Sequence, residues 1–474
     1  MKAEIGRFDR SLLDQDFYRV SIDSRQTVQG DLFFAFSQPD YRRNCFNGDF
    51  ADSTVYVPSA FERGAVAAVV RPDRFQEHKA ILNAFSERLI FVEDVIYALQ
   101  LLAKGVYEEW GKRVVGITGS AGKTTAKEIT ARVLSSAGFS VLSNEKNYNN
   151  NIGHPLTVLR LLKENFHDVA VLEMAMSTPH NEIARLCRIT PPDVAVVLNV
   201  LPVHIEHLGS IENIAKAKAE IVEGMKSGGV AVLNADDERV SQMRRLSKGD
   251  VLTFGIEKKA DVSAEDVISK GFEGTNFKLV TPKGKIEVLL PLGGRHNIMN
   301  ALAASAVALV FGLSLEQIAT GLSKVTAVSQ RGEVLRFKEG FIVINDSYNS
   351  NPDSLISMVK TLVENATKSN RKIVVAGEML ELGDAAKQVH YETGAKIASA
   401  GINLLIGVRN LAEELVKGAK DAGLENAIFV EDSEKAAELL LEEIRQSDAV
   451  LIKGSRGVRM EKIVEKLLER FSLD

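Results

Sequence analysis

Short apolar runs rich in β-branched residues alternate along the chain with longer segments whose apolar residues have helical spacing. The continuous apolar runs at residues 114–117, 169–172, 194–198 and 230–233 are typical of strands buried on both faces of a parallel sheet. Helix-compatible segments separate these runs, as the crossover connections of parallel strands require. The pattern therefore predicts an α/β fold with a parallel sheet in the middle of the chain.

The same alternation predicts three domains in the 474 residues, which agrees with the number expected for a chain of this length. Residues 1–111 are predicted to form a small N-terminal α/β domain, with short strands at 21–25, 31–36 and 65–70. Residues 112–327 are predicted to form the central domain, and residues 328–474 a C-terminal α/β domain. The strands predicted in this last domain are at 341–344, 372–376, 404–406, 427–430 and 449–452.

The clearest candidate for chemistry is the run 114–125, which reads VVGITGSAGKTT. An apolar strand leads through a glycine turn into a helix-compatible segment, so backbone N–H groups and a helix N-terminus point at one place where a polyphosphate can bind. Lys123 would reach the terminal phosphates, and the Thr124 hydroxyl would help to hold Mg²⁺. Ile117 stands where the strict phosphate-loop pattern has a glycine, so an ordinary turn is the alternative.

Polar residues follow several predicted strands, and ligands bind beyond the carboxyl ends of the strands in an open parallel sheet. Glu173 directly follows one predicted strand and is a candidate Mg²⁺ ligand, the alternative being a surface carboxylate. The asparagine run at 147–151 suits contact with a polar substrate, although a turn-rich linker has the same composition. His204 and His207 lie in an apolar-flanked loop and suit either a metal site or the core.

The C-terminal domain has three polar clusters of the same kind, at 346–352, 377–383 and 453–456. Three clusters at one edge of a sheet favour a rim that faces a ligand over chance loops. In the N-terminal domain, Ser24 and Arg25 suit an anion, because a hydroxyl and a guanidinium fork both bind phosphate. A solvated arginine beside a strand explains the same two residues.

Composition narrows the class of protein. The formal net charge is -5 and there is no long basic run, which argues against nucleic acid as the main partner. The two cysteines, Cys45 and Cys187, argue for a reducing compartment without a disulfide framework. No segment has signal-peptide character, and none approaches the roughly 20 apolar residues of a membrane span. These features predict a cytoplasmic protein.

Together, these residues and their order along nearly the whole chain resemble the Mur ligases, the ATP-dependent amide-forming enzymes of peptidoglycan precursor synthesis. The residues shared with the family are the loop 118–125, Glu173, His204, Lys218, His296, Asn297 and Arg331. The three C-terminal clusters and His390 resemble the branch that adds D-alanyl-D-alanine, and the Asp-Asn-Pro-Arg signature usual in the diaminopimelate-adding branch is absent from the sequence.

The chain departs from the family pattern at three places. Ala175 stands where a glycine is usual, and His154 where an apolar residue is usual. The stretch 39–48 differs from the usual glycine-rich segment of the first domain, so the resemblance assigns no contacts with the uridine nucleotide or the peptide to this stretch.

The resemblance implies a fold and a reaction. The N-terminal domain would bind the UDP-linked substrate, the central domain would bind ATP on a P-loop ATPase-like sheet, and the C-terminal domain would be a Rossmann-like ligase domain. A cytoplasmic monomer would join D-alanyl-D-alanine (D-Ala-D-Ala) to UDP-N-acetylmuramoyl-tripeptide through an acyl phosphate. Another Mur ligase step, a folylpolyglutamate-synthetase-like ligase and a non-catalytic nucleotide-binding regulator are the alternatives.

The resemblance also assigns residues. The catalytic residues would be Lys123, Glu173, His204 and Lys218, and two Mg²⁺ ions would be held by Thr124, Glu173 and His204. ATP would be bound by Gly119, Ser120, Ala121, Gly122, Lys123, Thr124, Thr125, Asn297, Arg331 and Asp346. The other substrates would be bound by Ser24, Arg25, Asn150, Asn151, Tyr348, Asn349, Asn351, Lys453, Ser455 and Arg456.

A covalent modification is implied at Lys218, which lies on a predicted helix at 210–221. It follows His204 by fourteen residues, the separation at which related ligases carry a carbamylated lysine. Carbamylation would turn a cation near Mg²⁺ into an anion. Lys216, on a different face of the same helix, is the competing candidate.

Overall fold

A computed structural model describes residues 16–46, 48–176, 181–202, 205–366, 369 and 371–474, with only the backbone described at Ile205 and His207. The described chain contains three sheets, of four, nine and six strands. Each sheet is formed by strands from one of the three predicted ranges, and the domain boundaries themselves remain a proposal. The α/β fold predicted from the apolar runs is confirmed.

The N-terminal sheet is parallel, with its strands in sequence order β1-β2-β3-β4. The strands are β1 (Arg19–Ser21), β2 (Asp31–Phe34), β3 (Ala67–Val70) and β4 (Leu89–Phe91). The helices are α1 (Gln38–Arg43), α2 (Val57–Glu62), α3 (Pro72–Glu77), α4 (Lys79–Leu82) and α5 (Val95–Trp110). A strand over 21–25 is not observed, because Asp23 accepts a hydrogen bond from the Arg25 N–H and caps a 3-10 turn at Ser24–Gln26.

The central sheet has the order β13-β12-β11-β10-β9-β8-β5-β7-β6. Its strands are β5 (Arg113–Thr118), β6 (Val141–Ser143), β7 (Val169–Glu173), β8 (Val194–Val197), β9 (Val230–Asn234), β10 (Asp250–Gly255), β11 (Val262–Ser269), β12 (Thr275–Thr281) and β13 (Gly284–Leu290). Its helices are α6 (Lys123–Ser136), α7 (Gly153–Val158), α8 (Glu182–Ile189), α9 (Ile205–Leu208), α10 (Ile211–Glu223), α11 (Glu238–Gln242), α12 (Arg295–Val310) and α13 (Leu315–Ser323). Strands β5 to β11 are parallel, whereas β12 and β13 form an antiparallel extension that the sequence reading did not predict.

The C-terminal sheet has the order β14-β15-β19-β16-β17-β18, and all its pairs are parallel except β14 with β15. Its strands are β14 (Glu333–Arg336), β15 (Ile342–Asp346), β16 (Arg371–Gly377), β17 (Leu404–Val408), β18 (Ala427–Val430) and β19 (Asp448–Lys453). Its helices are α14 (Pro352–Asn365), α15 (Ala386–Ser399), α16 (Ala412–Asp421), α17 (Ser433–Glu443) and α18 (Glu461–Arg470).

Apolar side chains bury both faces of the N-terminal and C-terminal sheets and of the parallel part of the central sheet, whereas much of β11 and β13 is exposed. In the central sheet, α6, α12 and α13 cover one face, while α8 and α10 cover much of the other. Helix α5 packs between the N-terminal sheet and the central strands β5 and β7, so these two sheets share a core. Gly111, with φ of 64°, ends α5 in the left-handed conformation that glycine adopts easily and leads the chain directly into β5.

The hairpin of β11 and β12 reaches from the central sheet to the C-terminal domain. At its tip, Ser269 Oγ donates to Asn365 Oδ1 at 2.8 Å, and Asn365 is the last residue of α14. Phe272, also at the tip, packs against the core of the C-terminal domain. The central and C-terminal domains are therefore in contact away from the chain segment that connects them.

Within the described ranges, no helix is long and apolar enough to cross a membrane.

Candidate functional site

A cleft of about 520 Å³ lies between the central sheet and the C-terminal domain. The predicted site residues that line it are Ser120, Ala121, Gly122, Lys123, Thr124, Thr125, Asn150, Glu173, Asn297, Arg331, Asp346, Tyr348, Asn349, Asn351 and Lys453. Those that do not line it are Gly119, Ser24, Arg25, Asn151, Lys218, Ser455 and Arg456. His204 lies outside the described residues. Polar residues that are far apart in the sequence thus meet at one site.

The predicted phosphate loop connects the end of β5 to the start of α6. Gly122 is the residue before the helix and has φ of 81°, a value suited to glycine, and a Cβ there would come within 2.7 Å of Asn300 Oδ1. Among the described side chains, none caps the N-terminus of α6. Its first N–H groups, together with the helix dipole, therefore face the cleft and can receive an anion.

The Lys123 side chain folds back over the loop. Its Nζ donates to the carbonyl oxygens of Gly119 at 2.9 Å and Ser120 at 3.3 Å. Burial lowers the pKa of Lys123; the charge of Glu173 opposes this shift and the charge of Arg331 adds to it. These contacts place a cation where the terminal phosphates of a nucleotide on the loop would lie.

Thr124 and Glu173 form a pair of oxygen ligands beside the loop. Thr124 Oγ1 donates to Glu173 Oε2 and Asn149 Nδ2 donates to Glu173 Oε1, both at 2.7 Å. The Asn144 side chain accepts from the Glu173 N–H at 2.8 Å and donates to its carbonyl oxygen at 2.9 Å. The carboxylate is therefore buried and held in one orientation.

A hydroxyl and a carboxylate are hard oxygen ligands, and they fit Mg²⁺, which usually takes one or two carboxylates and completes its shell with water and substrate phosphate. In the part of the chain that the structure describes, no group of three or more His, Cys, Asp or Glu residues could hold a metal by itself.

The two candidate lysines of α10 have different environments. Lys218 is 2% exposed, whereas Lys216 is on the exposed side of the helix. The helix begins as predicted, because Ser210 accepts from the Asn213 N–H and caps it. Burial and the charge of Lys123 hold the pKa of Lys218 well below its ordinary value. Only Lys218 is placed where its neutral amine would be favoured.

The C-terminal domain supplies the opposite wall of the cleft. Asp346 and Lys453 are paired in register on β15 and β19, and Lys453 Nζ donates to Asp346 Oδ2 at 2.6 Å and to the Asn349 carbonyl oxygen at 2.8 Å. The Arg331 guanidinium lies 4.0 Å from the centre of the Tyr348 ring, and the Arg456 guanidinium lies 4.8 Å from the same ring. This wall therefore lines the cleft with the Arg331 cation and the paired Lys453 and Asp346, while Arg456 lies beside Tyr348 outside the lining.

Several predicted substrate residues have hydrogen bonds that fix the local backbone. Asn351 caps α14 by accepting from the Ser354 N–H at 2.9 Å, and Asn150 accepts from the Gly153 N–H at the start of α7, also at 2.9 Å. Ser455 Oγ accepts from the Leu380 N–H at 3.0 Å, which joins two of the predicted polar clusters. Asn297 Nδ2 donates to the Gly293 carbonyl oxygen at 2.8 Å. Their roles toward substrates remain predictions.

Of the five predicted substrate residues that do not line the cleft, Ser455 and Arg456 contact residues that line it, whereas the other three do not reach the phosphate loop. Ser24 is buried, and the exposed Arg25 side chain makes two hydrogen bonds to Asp23, of 2.9 and 2.8 Å. Asn151 is 2% exposed, and its backbone carbonyl oxygen accepts from Gln100 of α5 at 2.9 Å. The structure brings none of these side chains to the phosphate loop, and their binding roles remain predictions.

The sequence assigns no role to Asn199 or Asn144 and places Asn149 only in a run suited to substrate contact, although all three fix the site. Asn199 directly follows the predicted strand at 194–198, so its position after a strand was the available signal. Asn149 belongs to the asparagine run, but nothing in that run shows which amide faces Glu173.

The geometry is that of a nucleotide-binding cleft between two α/β domains, and comparison with known proteins agrees. Residues 117–308 match the Mur ligase middle domain, and residues 330–456 match the Mur ligase, glutamate ligase domain. The chain is 35% identical over 456 residues to the UDP-N-acetylmuramoyl-tripeptide--D-alanyl-D-alanine ligase of Bacillus subtilis, covering 95% of this chain and 93% of that protein.

Solved structures give the same result. The crystal structure of MurF from Acinetobacter baumannii superposes with a TM-score of 0.82 at 30% identity, covering 95% of this chain and 93% of that one. MurF from Thermotoga maritima, in complex with ADP, superposes with a TM-score of 0.80 at 28% identity, covering 97% and 99%. The chain belongs to the Mur ligase family.

Proposed function

We propose that this protein is an ATP-dependent ligase that adds D-Ala-D-Ala to UDP-N-acetylmuramoyl-tripeptide, with release of ADP and phosphate. The observation that carries the proposal is the cleft, where the phosphate loop and the Thr124–Glu173 pair face Arg331, Asp346 and Lys453. Full-length similarity to ligases of this name supports the choice of substrates. The ADP complex of the Thermotoga maritima relative supports the choice of nucleotide.

The chemistry explains why the cleft needs positive charge. Joining a carboxylate to an amine in water is uphill, so the substrate carboxylate first attacks the γ-phosphorus of ATP, giving an acyl phosphate and ADP. The dipeptide amine then attacks the acyl carbon and loses a proton to water as the amide C–N bond forms, and phosphate leaves with the C–O bond electrons. Lys123 and Arg331 offset the charge of the anions that meet in the first step. We assign Asn297 to adenine and Asp346 to ribose from the family resemblance.

The Thr124 hydroxyl and the Glu173 carboxylate would hold Mg²⁺, which when bound neutralises phosphate charge during transfer. Asn149 donates to that carboxylate, and Asn144 fixes the Glu173 backbone. A second Mg²⁺ at His204 stays part of the proposal from the family resemblance alone.

We also propose that Lys218 is carbamylated. The neutral amine would add to CO₂, forming an N–C bond and releasing a proton, and the product is an anion that accepts hydrogen bonds. The burial of Lys218 and the exposure of Lys216 support this choice of lysine. A buried ammonium near Lys123 is unfavourable, so conversion to a carbamate removes a like-charge repulsion.

The remaining assignments complete the proposal. Tyr348, Asn349 and Arg456 are placed at or beside the cleft and would contact the dipeptide or the tripeptide end, while Ser24 and Arg25 of the N-terminal domain would contact the UDP part. We propose a monomer, and a cytoplasmic location in view of the two free cysteines.

The decisive experiment measures ADP release by the purified chain with ATP, Mg²⁺, UDP-N-acetylmuramoyl-tripeptide and D-Ala-D-Ala. Release should need both substrates, and mass spectrometry should show the pentapeptide product. Release at the same rate without any amine or acceptor would indicate a nucleotide-dependent regulator. A higher kcat/KM with diaminopimelate or lysine on the UDP-dipeptide would move the protein to the preceding reaction. Tripeptides ending in lysine or diaminopimelate, assayed in parallel, would define the acceptor.

A further inference from the structure

Asn199 binds the phosphate loop with both ends of its side-chain amide. Its Oδ1 accepts from the N–H groups of Ser120 at 3.0 Å and Ala121 at 2.9 Å, and its Nδ2 donates to the Ala121 carbonyl oxygen at 3.1 Å. Ser120 Oγ adds a reciprocal pair with the backbone of Leu201, accepting from its N–H at 2.9 Å and donating to its carbonyl oxygen at 3.1 Å. The middle of the loop is therefore fastened to the segment that follows β8.

This segment is itself anchored to the neighbouring strand. Asn234, the last residue of β9, donates from Nδ2 to the Leu198 carbonyl oxygen at 2.8 Å. Asp237 Oδ2, just beyond, accepts from the Val200 N–H at 2.7 Å. Both residues flanking Asn199 are thus fixed, so its side chain has a defined position relative to the sheet. The loop also packs directly on this segment, since a Cβ at Gly119 would lie 2.9 Å from Leu198 Cβ.

The N–H groups around the phosphate site divide into two sets. Those of Ser120 and Ala121 are satisfied by Asn199. Those of the first turn of α6 meet no capping side chain among the described residues and face the cleft. An anion bound at the helix N-terminus would use the second set and leave the first undisturbed. Asn199 and a bound phosphate would therefore accept hydrogen bonds from different N–H groups and would not compete.

We propose that Asn199 is a positioning residue that holds the phosphate loop in its nucleotide-binding shape, and that an amide is required at this position. The inference rests on the proposed function, because it assumes that a nucleotide binds the loop. Without the Asn199 side chain, the loop would lose three hydrogen bonds and would keep the one from the Ser120 N–H to the carbonyl oxygen of residue 199, at 3.1 Å. The part of the loop around Ala121 would then have to be ordered when the nucleotide binds, which costs affinity. A carboxylate could accept from both N–H groups, but it could not donate to Ala121, and it would place negative charge beside the phosphates.

The test is calorimetric binding of ADP with Mg²⁺ to the full-length chain and to Asn199→Ala and Asn199→Asp. The matched control is Asn403→Ala, which removes one hydrogen bond, from the Lys372 N–H to Asn403 Oδ1 at 2.8 Å, in the C-terminal domain. We expect the Kd of ADP to rise about tenfold in Asn199→Ala and at least as much in the nearly isosteric Asn199→Asp, with the control unchanged. The KM for ATP should rise in parallel, and the KM for the UDP-linked acceptor should stay within about threefold.

Thermal unfolding of the same proteins without nucleotide separates positioning from stability. A lower Tm in both Asn199 variants with an unchanged Kd for ADP would overturn the inference, because that is the result of a purely structural role. An equal increase in the KM for ATP and the KM for the acceptor would overturn the inference as well. If the unsubstituted protein bound no ADP, the proposed function itself would be wrong. If all the variants bound ADP normally, the proposed function would stand and only the role of Asn199 would be wrong.

Discussion

Replacing Glu173 by glutamine should remove most of the turnover and leave the fold intact, because the hydrogen bonds of this residue can be kept without its charge. The two carboxylate oxygens accept from Thr124 Oγ1 and Asn149 Nδ2, each at 2.7 Å. In Glu173→Gln the amide oxygen can face Asn149, whose Nδ2 only donates. The amide nitrogen can donate to Thr124, whose hydroxyl accepts as well as donates.

The expected magnitudes follow from this geometry. Exchanging charge-assisted for neutral hydrogen bonds should cost about 1 kcal/mol of unfolding free energy. Losing the charge of a metal-binding carboxylate should lower kcat/KM by about 10²–10³, or about 3–4 kcal/mol of transition-state stabilisation. Glu173→Ala should also destabilise the fold, since the buried Thr124 hydroxyl would lose its acceptor, at about 1–3 kcal/mol, whereas the half-buried Asn149 amide can reach solvent.

The assay is ADP release over a range of Mg²⁺ concentrations, combined with urea unfolding of each protein. Glu443→Gln is the control, since Glu443 pairs with Arg371 in the C-terminal domain away from the cleft. Turnover of Glu173→Gln within about threefold of the unsubstituted protein, at the same Mg²⁺ requirement, would refute the assignment of Glu173 as a metal ligand. Equal instability of the Gln and Ala variants would refute the hydrogen-bond reasoning.

Three further predictions concern single residues. Lys123→Ala should abolish ligation and remain folded by circular dichroism, because the residue offsets phosphoryl charge; near-normal turnover would contradict the phosphate-loop assignment. Lys218→Arg should be nearly inactive and Lys218→Ala partly rescued by acetate or formate, whereas full activity of Lys218→Arg would remove the case for carbamylation. His154 is fully buried and burial lowers its pKa to about 3, from 6.5, so between these pH values the unfolded chain takes up a proton that the native state does not. The stability that the neutral His154 contributes is thus present above pH 6.5 and lost as the pH falls toward 3. Between pH 7 and pH 5, the unfolding free energy measured in urea should therefore fall less in His154→Leu than in the unsubstituted protein.

Hydrophobic periodicity predicted the parallel strands β5, β7, β8 and β9 and the parallel strands of the C-terminal sheet, because strands buried on both faces leave an unbroken apolar run. It did not predict the parallel strands β4, β6, β10 and β11. The antiparallel strands β12 and β13 were missed, although β12 alternates buried and half-buried positions along its length. The strand expected over 21–25 failed for a local reason, since the Asp23 side chain competes with strand pairing by binding the Arg25 N–H. The pattern of apolar residues does not show which polar side chains hydrogen-bond to the nearby backbone.

In the site, sequence reasoning succeeded for residues whose position in the chain sets their position in space. Glu173, Asp346 and Lys453 each end a parallel strand, so all were expected at the carboxyl edges of sheets. The contact of Asn199 with Ala121 spans 78 positions in the sequence and exists because β8 is the neighbour of β5. The periodicity of apolar residues does not specify the order of the strands in a sheet. Periodicity likewise could not predict that Ser24 and Arg25 lie apart from the phosphate loop.

The hairpin formed by β11 and β12 joins the central sheet to the C-terminal domain outside the cleft. Its tip touches the end of α14 through Ser269 and Phe272, whereas neither residue lines the cleft. A rotation of the C-terminal domain would have to break this contact or carry the hairpin with it. The contact therefore constrains the relative position of the two walls of the cleft without touching any group that we assign to phosphate.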